Sequence, residues 1–82
     1  MSREEAASIS GLIIRNCRKT CNLTMRELEA LSGVTATQIN NIEKGKNDPH
    51  IGTFLKLLDA MGYDFFVCPA VDDEAGKIEV KI

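Results

Sequence analysis

Apolar positions recur every three or four residues over most of this chain, and the pattern breaks at a few glycines and one proline. A first helix is predicted to begin among Arg3 to Ser8 and to run to Lys19 or Thr20. Its stripe is Ala6, Ile9, Ile13 and Cys17, with Ile14 and Cys21 beside it and Asn22 as the stop. Thr24 then caps a second helix, and Glu27, three residues on, completes a capping box. Leu28 and Leu31 supply its buried side. Gly33 sits where a tight helix–helix turn needs a positive backbone angle, and Val34 plugs the angle between the two helices. Thr35 and Gln38 repeat the capping-box spacing and open a third helix, Ala36 to Lys44, with Ile39 and Ile42 inward and Gly45 as its end.

The KNDP segment reads as a loop with Asp48 or His50 as cap and Pro49 near the first helical position. Ile51, Phe54, Leu55, Leu58 and Met61 form the stripe of a fourth helix that stops at Gly62. The period then changes. Tyr63 to Cys68 is aromatic and β-branched, hence strand-like, and Pro69 interrupts it. A polar connector leads to KIEVKI, where Ile78, Val80 and Ile82 alternate with polar residues. The expected organisation is a helical unit over 1–62 and a β-strand or hairpin extension over 63–82.

Eighty-two residues hold one small domain, and 44% apolar with 27% charged content is ordinary for a globular chain. No apolar run approaches the roughly 18 residues a membrane span needs. The opening MSREEAASIS is acidic and polar, so a cytoplasmic location is expected. Cys17, Cys21 and Cys68 are odd in number and follow no framework spacing. A metal site would need further ligands, and the only histidine is His50, so no metal or cofactor is expected. One histidine, no glycine-rich phosphate loop and no nucleophile set beside a base argue against an enzyme.

Net charge is −2, but it is polarised. From Arg15 to Asn47, six basic residues oppose three acidic ones. From Tyr63 to the end, five acidic residues oppose two basic ones. A modestly basic middle suits phosphate. The third helix also carries Thr37, Gln38, Asn40 and Asn41, where a merely solvated face would favour Glu and Lys. Either this is a solvated face of unusual composition or it is a surface for reading base edges.

The run LT-x-x-EL, the SGVT turn, QINNIEKGKNDP and FLKLLDAMG give positions 11 to 62 a resemblance to the Cro/phage-repressor (XRE) helix-turn-helix family. That family includes bacterial regulators and antitoxins. The resemblance implies a mainly α, lambda-repressor-like bundle of four to five helices that binds double-stranded DNA. Met25–Ser32 would brace, and Thr35–Lys44 would enter the major groove. It places Ala36, Thr37 and Asn41 at base-reading positions, and Thr24, Arg26, Thr35, Gln38, Asn40, Lys44 and Lys46 near phosphates. Their chemistry agrees: an asparagine amide can pair with adenine N6 and N7, and threonine and alanine can meet a thymine methyl. Arg18 and Glu43 match a structural pair tying the first helix to the end of the third; two unrelated surface charges are the alternative. Glu29, Met25 and Cys17 depart from the family's usual alanine, glutamine and leucine.

One recognition helix reads few base pairs, so a homodimer on a palindromic operator is expected. The order of fourth helix, glycine and short aromatic strand resembles the HipB-type antitoxins, which implies dimerisation through Tyr63, Phe65, Phe66 and Val67. A hairpin folded on its own subunit is the alternative. The functions that follow are a transcriptional regulator, most simply a repressor, or an antitoxin that represses its own operon and also holds a toxin protein.

Overall fold

A computed structural model describes residues 1–69. Four helices follow in order: α1 (Arg3–Thr20), α2 (Met25–Ser32), α3 (Ala36–Glu43) and α4 (Ile51–Ala60). Local chemistry sets their starts. The Ser2 hydroxyl accepts from the Glu5 N–H at 3.1 Å, and the Glu5 carboxylate accepts from the Ser2 N–H at 3.0 Å. Thr24 and Glu27 make the same reciprocal pair at the start of α2, at 3.0 and 2.8 Å. Thr35 accepts from the Gln38 N–H at 3.2 Å, but no return bond from the Gln38 side chain completes a box. His50 is the residue at the cap of α4 and makes no side-chain capping bond, and Pro49 stands just before it.

The ends are equally local. Gly33 closes α2 at φ 81°, which only a residue without a Cβ adopts freely. Asn22 takes φ 62° after α1, where its short amide tolerates the left-handed region. There the Leu23 N–H reaches back to the Arg18 carbonyl at 3.1 Å and the Asn22 N–H to the Lys19 carbonyl at 3.0 Å, so the last turn leaves fewer orphan acceptors. The same two-bond closure ends α3 at Gly45 and α4 at Gly62.

The core gathers Ile14, Leu28, Val34, Ile39, Ile42, Phe54, Leu57 and Leu58. α1 packs on α3 and α4, and α2 packs on the same two helices. Three expected stripes are corrected. α1 buries Ala7, Gly11 and Ile14, whereas Ile9 and Ile13 of the expected stripe are 45% and 39% exposed. Both sets have helical spacing, and backbone approach chooses between them: a Cβ on Gly11 would collide with the Ile42 carbonyl oxygen. In α2, Leu31 is exposed, because Met25 packs against the core on one flank of Leu28 and Leu31 lies on the other, about 120° around the helix from Met25. In α4, Ile51 and Leu55 are exposed, and Leu57 is fully buried in their place.

The extension differs as well. Tyr63–Pro69 forms no strand among the described residues, since extended backbone becomes a sheet only with a ladder partner. Phe65 instead packs edge-on against Phe54, with ring centroids 5.9 Å apart. The KIEVKI half of the expected hairpin lies outside the described residues.

Candidate nucleic-acid interface

The turn between α2 and α3 is fixed by one hydroxyl. Ser32 donates to the Leu28 carbonyl at 2.7 Å and accepts from the Val34 N–H at 3.1 Å. Val34 is buried behind it and sets the angle at which α3 leaves. With Ile39 and Ile42 in the core, helical geometry turns Thr37, Asn41 and Lys44 outward at spacings of four and three. Thr37, Gln38 and Lys44 are exposed, while Ala36, Asn40 and Asn41 are half-buried at the margins of the same side. The residues expected to meet bases and most of those expected to meet phosphates therefore share one face of α3.

Orientation of that face relative to the bundle rests on Arg18. Its guanidinium grips Glu43 in a two-pronged pair, Nε to Oε2 at 2.7 Å and Nη2 to Oε1 at 2.9 Å. Nη1 donates to the Leu23 carbonyl at 2.8 Å, so one side chain joins α1, the α1–α2 loop and the end of α3. The side chains are 12% and 4% exposed. The hydrogen bonds to Glu43 hold the Arg18 proton even more firmly than usual, against the opposing effect of burial. The charge of Arg18 is thus committed to Glu43.

The two helix N-termini differ. At α2, the Glu27 carboxylate already occupies the anion position by accepting from the Thr24 N–H. At α3, no carboxylate does so, which leaves the positive end of the helix open to phosphate. Thr24 and Arg26 remain exposed at the start of α2, where the Thr24 hydroxyl accepts from the Glu27 N–H and keeps its own proton to donate.

Two basic-rimmed clefts flank the face. One is lined by Arg15, Lys19 and Lys44 with Asn40 and Met25. The other lies between the starts of α1 and α4, where Arg3, Lys46 and His50 meet Gln38 and Thr53, with Asp48 as an opposing charge. The sequence alone assigns no site role to Arg3, Arg15, Lys19 or Thr53 and reads His50 only as a candidate helix cap. Arg15 and Lys19 belong to the basic middle segment, so charge patterning held a signal for them. Arg3 lies in an acidic stretch and is brought in only by the fold.

Elsewhere, burial pushes the Cys17 thiol above its ordinary range, so it behaves as a small apolar side chain beside Tyr63. Phe65, Phe66 and Val67 are 49%, 72% and 52% exposed, while Tyr63 is half-buried.

Residues 14–67 match the family described as helix-turn-helix. The chain belongs to the XRE-type helix-turn-helix family. An uncharacterized HTH-type transcriptional regulator of Haemophilus influenzae is 38% identical over 52 residues, 63% of this chain and 53% of that one. A second protein so named, from Sinorhizobium fredii, is 30% identical over 56 residues, 68% of this chain and 29% of that one. The chain thus spans about half the length of the first relative and under a third of the second. Among the described residues no helix is long and apolar enough to cross a membrane.

Proposed function

We propose that this member of the helix-turn-helix family is a sequence-specific DNA-binding transcriptional regulator, a repressor that holds a palindromic operator as a homodimer. One observation carries the reading: the outward face of α3 is short, polar and amide-bearing, and basic clefts flank it. In this reading α3 lies in the major groove. Asn41 pairs with a base edge, Thr37 and Ala36 meet base edges or thymine methyls, and the α3 N-terminus with Thr35 faces a phosphate. Gln38, Asn40, Lys44 and Lys46 follow the backbone on either side. Thr24 and Arg26 add contacts through their side chains, because Glu27 has taken the amide position at α2. The protein acts by occupying DNA, with no catalytic step.

A single α3 reads only a few base pairs, so specific affinity requires two half-sites about 34–36 Å apart. The exposed Phe65, Phe66 and Val67 support pairing of subunits through the extension. That same exposure favours, as a second reading, an antitoxin that also holds a toxin protein; a stoichiometric protein that co-purifies with the chain would mark it.

Selection from a randomised duplex library tests the main reading. A two-fold symmetric consensus is expected, with affinity that falls as salt rises by a log–log slope of about −0.9 per phosphate contact. Failure to enrich any sequence would remove specific DNA binding from the account.

A further inference from the structure

α1 is apolar on two sides. Ala7, Gly11 and Ile14 face the bundle together with Arg18, and Ile9 lies diametrically opposite them. Leu12, 58% exposed, and Ile13, 39% exposed, flank Ile9 on that outer side. An ordinary surface helix has one apolar stripe and a charged back. Here the back carries three large aliphatic side chains, on the side of α1 turned away from α3 and α4.

We infer that this outer face of α1 is a contact with a second copy of the chain, made antiparallel and centred on Leu12. The charges along the helix select both the occupant and its direction. Glu4 and Glu5 lie in the first turn, and Arg18 and Lys19 lie in the last. Arg18 is committed to Glu43, and among the described residues Lys19 is the cation of the last turn that makes no ion pair. Glu5 and Lys19 stand seven residues on either side of Leu12, about 10.5 Å along the axis in each direction, and on the same flank of the stripe. In an antiparallel pair each Glu5 comes beside the other copy's Lys19, twice over, while Leu12 meets Leu12 and Ile9 and Ile13 cover the rest. A parallel pair would set Glu5 against Glu5. Glu5 accepts from the Ser2 N–H through one of its two carboxylate oxygens. The patch is small, so the contact is weak alone and gains effect where other contacts already hold copies close together.

This inference does not depend on DNA binding or on pairing through the extension. Sedimentation equilibrium of the full chain tests it, in the wild-type sequence and in a Phe66→Ser background that separates the two association steps. Leu12→Lys and Leu12→Asp should each weaken one association step about tenfold or more, because like charges then meet across the two-fold axis. An equimolar mixture of the two variants should restore that step by pairing opposite charges. Variants that associate as the wild type does, or a mixture that fails to recover, would overturn the proposal. Either result would leave a different protein, or the chain's own C-terminal residues, to cover the patch.

Discussion

The outward faces of α3 and α1 belong to the same bundle and are opposite in chemistry. α3 turns out Thr37, Gln38, Asn40 and Asn41, whereas α1 turns out Ile9, Leu12 and Ile13. Each is a poor solution for a helix that merely meets water. The α3 residues are mediocre helix formers, and the α1 residues leave apolar area wet at about 25 cal/mol per Å². On the proposed reading the departures run in different directions because the proposed partners differ. Base edges are matched by short donors and acceptors, and a protein surface by shape and apolar area. The two helices are joined through the close approach at Gly11 and the Arg18–Glu43 pair.

Substitutions at that joint are expected to have the largest effects. Arg18→Ala strands the Glu43 carboxylate, 4% exposed, with its partner gone, and is expected to cost about 3–5 kcal/mol. For a domain of this size each 1 kcal/mol lowers Tm by about 4–8 °C, so thermal unfolding reads the change directly. Arg18→Met with Glu43→Leu should recover most of the loss, since neither charge is then left buried. Gly11→Ala comes next: the new Cβ meets the Ile42 carbonyl, and an overpacking cost of about 1–3 kcal/mol is expected in the same assay. Both changes should weaken DNA binding together with stability.

Changes on the faces themselves should leave the fold alone. Lys44→Ala and Lys46→Ala are expected to weaken binding evenly across sequences and to reduce the salt slope by about one each, measured by fluorescence anisotropy on specific and random duplexes. The smallest expected effect is at the start of α1. Bonds from the Ser2 N–H and hydroxyl hold the Glu5 carboxyl below its ordinary range. The folded value is the lower one, so the support this box gives is present above the ordinary carboxylate range and is lost as pH falls through the lowered value. Amide exchange in the first turn of α1 should therefore speed up on acidification, and Glu5→Ala should abolish that dependence.

Much of the bundle could be read from residue order because its signals are local. Thr24 with Glu27, Gly33 before Val34, and the closures at Asn22, Gly45 and Gly62 each act within a few residues of themselves. The box at Ser2 and Glu5 was equally local, and its S-x-x-E spacing was there to be used. The buried side of α1 was not legible in this way. Two stripes with the same period compete there, and the winner depends on how closely α3 can come to Gly11, a matter of tertiary approach. The clefts beside α3 are unreadable for a related reason, since Arg3 and Lys46 become neighbours only through packing. The strand expected at Tyr63–Cys68 had the right composition, but a ladder needs a second strand and composition does not supply one.

Base reading by α3 is tested most directly with the selected operator and its single-base variants. Binding of Thr37→Ala and Asn41→Ala is compared with that of the wild type on every variant at fixed salt. Each substitution should remove about 1–3 kcal/mol of discrimination at one position of each half-site while leaving nonspecific affinity and Tm nearly unchanged. Variants that keep the full sequence preference of the wild type would contradict the claim that the outward face of α3 reads DNA.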